Sequence, residues 1–164
     1  MIIKQFFILA TCLALFGCSG SFSKGVKKDL STGLTATYNG LTLSEIYLVV
    51  DEQKANSNKI VLGKKVIVVA NGVDYFTVEN GKVFPGCSIV LTDKKGKELL
   101  NLPDAFGHLN DGTSASEAAT LQAELNTGEP MLVDEKYLLK VRFYDKRNKE
   151  NEIKADVTLL VVGL

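Results

Sequence analysis

The chain has 164 residues, which is the length of one domain, or of one domain preceded by a tail. Its 19 basic and 19 acidic residues cancel, so it lacks the excess of Lys and Arg with which proteins bind the phosphates of nucleic acids. Hydrophobic residues make up 46% of the chain and charged residues 23%, which excludes a wholly disordered protein. We therefore expect a folded domain that binds no nucleic acid.

The first 18 residues, MIIKQFFILATCLALFGC, have the features of an export signal. Lys4 and the terminal amine give a positive start, and the apolar stretch 6–16 is shorter than the about 20 residues that a membrane-spanning helix needs. The stretch ends in Leu15-Phe16-Gly17-Cys18, which resembles the lipobox of bacterial lipoproteins. An ordinary secretory signal, in which Cys18 is incidental, is the alternative interpretation.

The resemblance to bacterial lipoproteins implies how the mature chain is held. Residues 1–17 would be the signal peptide, and Cys18 would become the first residue, lipidated on its sulfur and on its new amine. Two or more acyl chains give stable membrane attachment, whereas one chain gives marginal attachment. The expected localisation is the bacterial cell envelope, lipid-anchored at the outer membrane and facing the periplasm, because no acidic cluster follows Cys18.

The segment after the lipobox differs in composition from the rest of the chain. Residues 18–32 are small, polar and rich in Lys without a sustained hydrophobic period, so they predict a flexible tether. Cys12 would leave with the signal peptide, and Cys87 would then be the only free thiol of the domain. One thiol forms no internal disulfide and no multi-cysteine zinc site. We expect Cys87 to be a small buried side chain at the start of a strand.

Residues 33–164 are predicted to form an all-β domain. Apolar and polar residues alternate in several short runs, and the apolar run 66–70 is typical of a strand covered on both faces. Three Asn-Gly pairs predict type I′ turns, in which both central residues have positive φ, at 39–40, 71–72 and 80–81. The charged segment 93–97 predicts another hairpin. These features favour an antiparallel immunoglobulin-like β-sandwich of seven to nine strands with one short helical turn.

The end of the chain carries the clearest strand pattern. Alternate apolar residues predict one buried face for the last two strands, formed by Tyr137, Leu139, Val141, Phe143, Ile153, Ala155, Val157, Leu159 and Val161. Lys140 and Arg142 would point the other way. A strand that begins with Tyr, an Asp-Lys turn and a long Val-rich strand together resemble the last hairpin of many bacterial immunoglobulin-like domains.

One segment fits both a helix and a strand. Ser114 and Glu117 have the spacing of a capping box, and the residues after Glu117 favour a helix. Leu121, Ala123 and Leu125 also alternate as in a strand. We predict a short helical turn at 114–119 followed by a strand at 120–126, with a helix continuing through Leu125 as the alternative.

The sequence contains few residues suited to catalysis or to metal binding. His108 is the only histidine, so a pair of histidine ligands is impossible, and no nucleophile elbow, phosphate-binding loop or dinucleotide fingerprint occurs. We predict no catalytic residue, no metal and no organic cofactor. Pairs of carboxylates remain an open possibility, because such pairs can hydrolyse glycosides and the chain has 19 acidic residues.

The irregular segment 103–113 is the predicted binding loop. Its candidate contact residues are Asp104, Phe106, His108, Asn110 and Asp111. Loops at the end of a sandwich often carry recognition, because the sheets hold them in place. The alternative is that Phe106 and Leu109 close the core while the polar residues form turns.

Three classes of function are compatible with these observations. The first is a membrane-anchored, non-catalytic binding or assembly module of the cell envelope, whose partner is an envelope protein or a small molecule. The second is a structural spacer. The third is a small envelope hydrolase that uses paired carboxylates.

Overall fold

The computed structural model describes residues 23–164, so the predicted signal peptide 1–17 and Cys18 lie outside the described residues. Within this range the backbone forms eleven strands, one turn of 3₁₀ helix and one turn of α-helix. The strands are β1 (Lys24–Lys28), β2 (Thr35–Asn39), β3 (Glu45–Val50), β4 (Gln53–Lys54), β5 (Lys59–Val61), β6 (Lys65–Asn71), β7 (Pro85–Asp93), β8 (Glu98–Leu102), β9 (Thr120–Asn126), β10 (Lys136–Asp145) and β11 (Glu152–Val162). The 3₁₀ turn is Gly107–Leu109, and α1 is Ala115–Ala118.

The strands form two sheets. The large sheet has the order β1-β2-β11-β10-β7-β8, and β5 pairs with the far end of β11. The small sheet has the order β4-β3-β6-β9. All described pairs are antiparallel except β5 with β11, which are parallel. The prediction of an all-β, antiparallel immunoglobulin-like sandwich is confirmed.

One hydrophobic cluster lies between the two sheets. It includes Leu48, Val66 and Leu121 from the small sheet and Ile89 and Val141 from the large sheet, all at most 3% exposed. The predicted inward face of the last hairpin is confirmed, because all nine of its residues are buried. The two strands are in register, with Val141 opposite Ala155 and Phe143 opposite Ile153.

The folded domain begins earlier than residue 33. Residues 24–28, which fell within the predicted tether, form the edge strand β1 paired with β2 over its whole length. The ring of Tyr38 on β2 packs directly on Gly25, where an added Cβ would come within 2.2 Å of the phenolic oxygen. A glycine on an edge strand, covered by an aromatic ring from its neighbour, is a known way of stabilising such a position. The structure has more strands than the seven to nine that were predicted. The additional strands β1, β4 and β5 are short, so the sequence shows no clear pattern for them.

The three Asn-Gly pairs form different turns. Only Asn80-Gly81 has positive φ at both residues, 53° and 74°, in a two-residue hairpin closed by backbone bonds between Glu79 and Lys82. Gly40 and Gly72 also have positive φ, but the asparagines before them do not, so type I′ geometry is wrong for these two pairs. In both cases the asparagine is still the last residue of a strand, β2 or β6.

The ambiguous segment 114–126 divides as predicted. Ser114 caps α1 by accepting a hydrogen bond from the backbone N–H of Glu117, and the Glu117 side chain accepts one from the backbone N–H of Ser114. The strand β9 follows at Thr120, because Leu121, Ala123 and Leu125 alternate into the core. No helix among residues 23–164 is long and apolar enough to cross a membrane.

The connections between strands gather at the two ends of the sandwich. We call the end of the sandwich at which Ser23 lies the N-terminal end; there the N–H of Gly40 donates to the carbonyl of Ser23 over 2.8 Å. The N-terminal end consists of Ser23 and the connections 40–44, 72–84, 103–114 and 146–151. The opposite end consists of the connections 29–34, 51–52, 62–64, 94–97 and 127–135, together with Leu164.

Candidate functional site

The predicted binding loop follows β8 at the N-terminal end of the sandwich. Its aromatic residue, Phe106, is 8% exposed and belongs to the core cluster, with its ring centroid 6.1 Å from that of Phe143. The exposed imidazole of His108 packs edge-on against the same Phe106 ring, at 6.0 Å between centroids. Phe106 therefore closes the core, as the alternative interpretation proposed.

Lys146, from the connection between β10 and β11, fastens this loop to the sandwich. Its ammonium lies 2.8 Å from the Asp104 carboxylate, 2.7 Å from Oδ1 of Asn110 and 2.9 Å from the carbonyl oxygen of Phe106. Three acceptors use all three donors of the ammonium. The side chain of Lys146 is only 15% exposed.

Asp104 has a structural role in the loop. Its Oδ1 accepts hydrogen bonds from the backbone N–H groups of Phe106, at 2.9 Å, and Cys87, at 3.3 Å. Partial burial by itself would raise the pKa of Asp104, but the bonds from Lys146 and these two N–H groups outweigh it and lower the pKa below its usual value. Asp104 is thus held ionised and engaged by the protein itself.

The five predicted contact residues consequently separate into two groups. Asp104 and Asn110 bind Lys146, and the backbone carbonyl of Asp111 accepts a bond from Lys82 over 3.1 Å. Phe106 and His108, by contrast, line a groove beside the loop. The structure does not bring the five side chains together into one site.

This groove lies along the open side of the sandwich, between the edge strands β8 and β9, and we call it the lateral groove. It has a volume of about 630 Å³. Its floor and walls are mainly apolar, and its polar residues come from the loop, α1 and the outward face of β9. The lining residues include Ile89, Leu102, Ala105, Phe106, His108, Leu109, Glu117, Leu121, Gln122 and Glu124.

Two carboxylates lie on the lateral groove, and both already have partners. Glu117 accepts hydrogen bonds from the hydroxyl groups of Thr113 and Ser114, and these bonds lower its pKa. Glu124 forms an ion pair with Lys65 at 3.0 Å. A carboxylic acid that donates a proton in glycoside hydrolysis needs a raised pKa. The observed environment of Glu117 has the opposite effect.

The thiol and the metal-ligand chemistry of the domain are limited. Cys87 is fully buried in β7, as predicted, and burial raises the pKa of its thiol to about 12, with a further contribution from the negative charge of Asp104. Among residues 23–164, no three His, Cys, Asp or Glu side chains are close enough together to hold a metal ion.

Sequence reasoning did not identify Lys146 or the residues of β8 and β9 that line the groove. The partners of Lys146 are 36 to 42 residues away, so no local motif marks it. Leu102 and Gln122 belong to different sheets, and the groove exists only because both strands are at the edge of their sheet on the same side. The 39% exposure of the apolar Leu102 is visible only in the structure, so no signal in the sequence marked the groove.

Comparison with known proteins supports the fold. No family model matches the sequence, and no curated protein matches it. The structure is similar to the crystal structure of the C-terminal domain of wzt, with a TM-score of 0.51 and 9% sequence identity over 88% of this chain and 80% of that chain. At this identity the similarity concerns the fold alone.

Proposed function

We propose that the protein is a lipid-anchored binding or assembly module of the bacterial cell envelope, attached through Cys18 and without catalytic activity. The sequence before the domain supports the anchor: a positive start, a short apolar stretch and Gly17-Cys18 directly after it. The proposed location is the outer membrane, with the domain in the periplasm. The proposed partner is an envelope protein or a small molecule.

The lateral groove is the observation that carries the binding function. Its volume of about 630 Å³ falls within the range of about 300–1,000 Å³ that is usual for ligand pockets. Apolar side chains such as Ile89 and Leu121 can supply the contact area, and exposed polar groups such as Gln122 and His108 can supply specificity. This proposal keeps Phe106 and His108 from the predicted loop and assigns Asp104 and Asn110 to holding the loop.

The two alternative functions have less support from the described residues. A hydrolase that uses paired carboxylates would need a protonated acid in the groove, whereas hydrogen bonds keep Glu117 ionised and Lys65 pairs with Glu124. A structural spacer would gain nothing from an open apolar groove, because exposed apolar surface favours unwanted association.

Lipidation is tested by metabolic labelling of bacterial cells that produce the full chain, using an alkyne fatty acid. We expect label on the wild-type protein and none on Cys18→Ser. Cys12→Ser serves as the matched control and should remain labelled. Equal labelling of the wild type and Cys18→Ser would contradict the proposed anchor.

Binding in the lateral groove is tested by site-specific photo-crosslinking in the same cells. A photoreactive amino acid replaces Gln122, which is exposed in the groove, or Lys140, which is exposed on the outer face of the large sheet. We expect an adduct at Gln122 that is absent at Lys140 and is lost when Leu102→Asp is added. Identical adducts at the two positions, or none at Gln122, would contradict a ligand in the groove.

A further inference from the structure

The position of Ser23 constrains the orientation of the domain, if Cys18 is anchored as proposed. Ser23 is the fifth residue after Cys18, and a fully extended chain of five residue steps reaches at most about 18 Å. The N–H of Gly40 donates to the carbonyl of Ser23, and β1 begins one residue later, so the constraint acts on the sandwich itself. Ser23, at the N-terminal end of the sandwich, therefore lies within about 18 Å of the anchored Cys18.

The opposite end lies much farther from this point. β10 runs the length of the sandwich in ten residues, which at about 3.3 Å per residue corresponds to roughly 33 Å. Leu132, which is 64% exposed, belongs to the opposite end. A domain standing on its N-terminal end would hold Leu132 out of reach of the lipids.

Two apolar side chains project from the N-terminal end in the connection between β6 and β7. Tyr75 is 59% exposed and Val78 is 63% exposed. Tyr75 also has φ of 72°, a conformation that is strained for a bulky residue and that often indicates a functional requirement. Val73 and Phe76, on either side of Tyr75, pack in or against the core, whereas the Tyr75 side chain is exposed.

This connection is held firmly, so its apolar residues keep their positions. The backbone N–H of Thr77 donates to the fully buried carboxylate of Asp145 over 2.7 Å. Glu79 forms an ion pair with Arg147, whose guanidinium lies 3.8 Å from the ring centre of Phe84. The ion pair thus helps to hold the residue that follows Val78 in place.

We infer that the N-terminal end of the sandwich rests on the membrane, with Tyr75 and Val78 in the lipid headgroup region. Tyr suits this region because its ring is apolar and its hydroxyl is polar. In this orientation the lateral groove opens sideways beside the bilayer. The inference rests on the proposed anchor at Cys18 and adds the surface that faces the lipid.

The test uses the full chain, purified from membranes in detergent and reconstituted into vesicles of phosphatidylcholine with brominated acyl chains. The chain contains no Trp, so each substitution supplies the only indole. We expect Tyr75→Trp to lose about half of its fluorescence through quenching by bromine, as suits a side chain at the interface. Val78→Trp provides a second measurement at the same end if Tyr75→Trp folds poorly.

Two matched controls define the orientation. Leu132→Trp, at the opposite end, should keep its fluorescence, and so should Val26→Trp on the edge strand β1. Val26 and Leu132 are as exposed as Tyr75, so accessibility does not distinguish the three positions. Equal quenching at Tyr75 and Leu132 would overturn the inference, and so would stronger quenching at Val26, because the domain would then lie on its edge.

The mass of the purified chain shows whether Cys18 is acylated, and so distinguishes failure of the proposed anchor from failure of the proposed orientation. If Cys18 carries no acyl chains, the proposed anchor is wrong and the orientation fails with it. If Cys18 is acylated and neither Tyr75→Trp nor Val78→Trp is quenched, only the orientation is wrong.

Discussion

Lys146 determines the structure of the loop that the sequence identified as a binding loop. Its ammonium joins Asp104, Asn110 and the carbonyl oxygen of Phe106, and thereby holds Phe106 over the core. A partly buried ammonium with three acceptors contributes more than an exposed ion pair, since removing it leaves acceptors without a donor. The polar residues of the loop are therefore explained first by folding.

Replacing Lys146 by Met should lower the free energy of unfolding by about 1–3 kcal/mol at pH 7, because Met keeps the apolar stem and removes the charge. Urea denaturation provides the measurement. Lys149→Met, an exposed lysine of the same connection, is the control and should change the stability by less than about 0.5 kcal/mol. Equal effects of the two substitutions would show that the contacts of Lys146 do not stabilise the domain.

Asp104 should make part of the stability depend on pH. Its pKa is lowered in the folded protein, so ionised Asp104 stabilises the domain above the unfolded pKa of about 3.9. The contribution is lost as the pH falls through the lower, folded pKa. The stability difference between the wild type and Asp104→Asn should thus be large at pH 7 and shrink below about pH 4. A difference that stays constant from pH 7 to about pH 2.5 would contradict this role.

Cys87 should be unreactive in the folded protein. Burial raises the pKa of its thiol to about 12, so very little thiolate is present at pH 8. In a chain that begins at residue 18 and carries Cys18→Ser, Cys87 is the only thiol. We expect iodoacetamide to leave this chain unmodified at pH 8 and to alkylate it completely in urea. Rapid alkylation without urea would mean that β7 is accessible.

The strands of the last hairpin permit a direct comparison of the two faces of the sheet. Val141 is 2% exposed and lies between Ile89 and Ala155, whereas Lys140 is exposed and lies opposite Asp156. The alternation of apolar and polar residues in the sequence therefore matches the alternation of buried and exposed side chains in the structure. Because the period of a strand is two, adjacent residues test opposite environments.

Val141→Asp should prevent folding or nearly so. It places an unpaired charge in the core, which costs several kcal/mol against a total stability of about 5–15 kcal/mol. Lys140→Asp should cost less than about 1 kcal/mol, from repulsion with Asp156 on the exposed face. Circular dichroism in increasing urea measures both. Similar losses from the two substitutions would show that residues 140 and 141 do not face opposite sides.

Short edge strands were the elements that the sequence did not reveal. Residues 24–28, KGVKK, show no apolar alternation, and their lysines are typical of an edge that must avoid further pairing. β4 has two residues and β5 has three, too few for a period to be visible. These strands exist because an already formed neighbour offers unpaired backbone groups, which is a tertiary effect.

At the scale of the whole molecule, the domain should depend on residues 23–32. A chain that begins at residue 33 lacks β1, its five-residue pairing with β2 and the cover of Gly25 under Tyr38. We expect its free energy of unfolding to be lower by about 1–3 kcal/mol than that of a chain beginning at residue 23. Urea denaturation of the two chains provides the comparison. Equal stability would show that the predicted boundary at residue 33 was adequate.

The sequence by itself determined the class of fold, the faces of the long strands and the capped turn before β9, since these depend on periods of two and on contacts within four residues. Only the tertiary structure decided that Asp104 and Asn110 bind Lys146 and that β8 and β9 border one groove. It also decided that Ser23 and Tyr75 share one end of the sandwich. These relations join residues that are far apart in the chain, and strand order within the sheets brings them together. Local pattern carries no information about strand order, because the same alternation suits any neighbour.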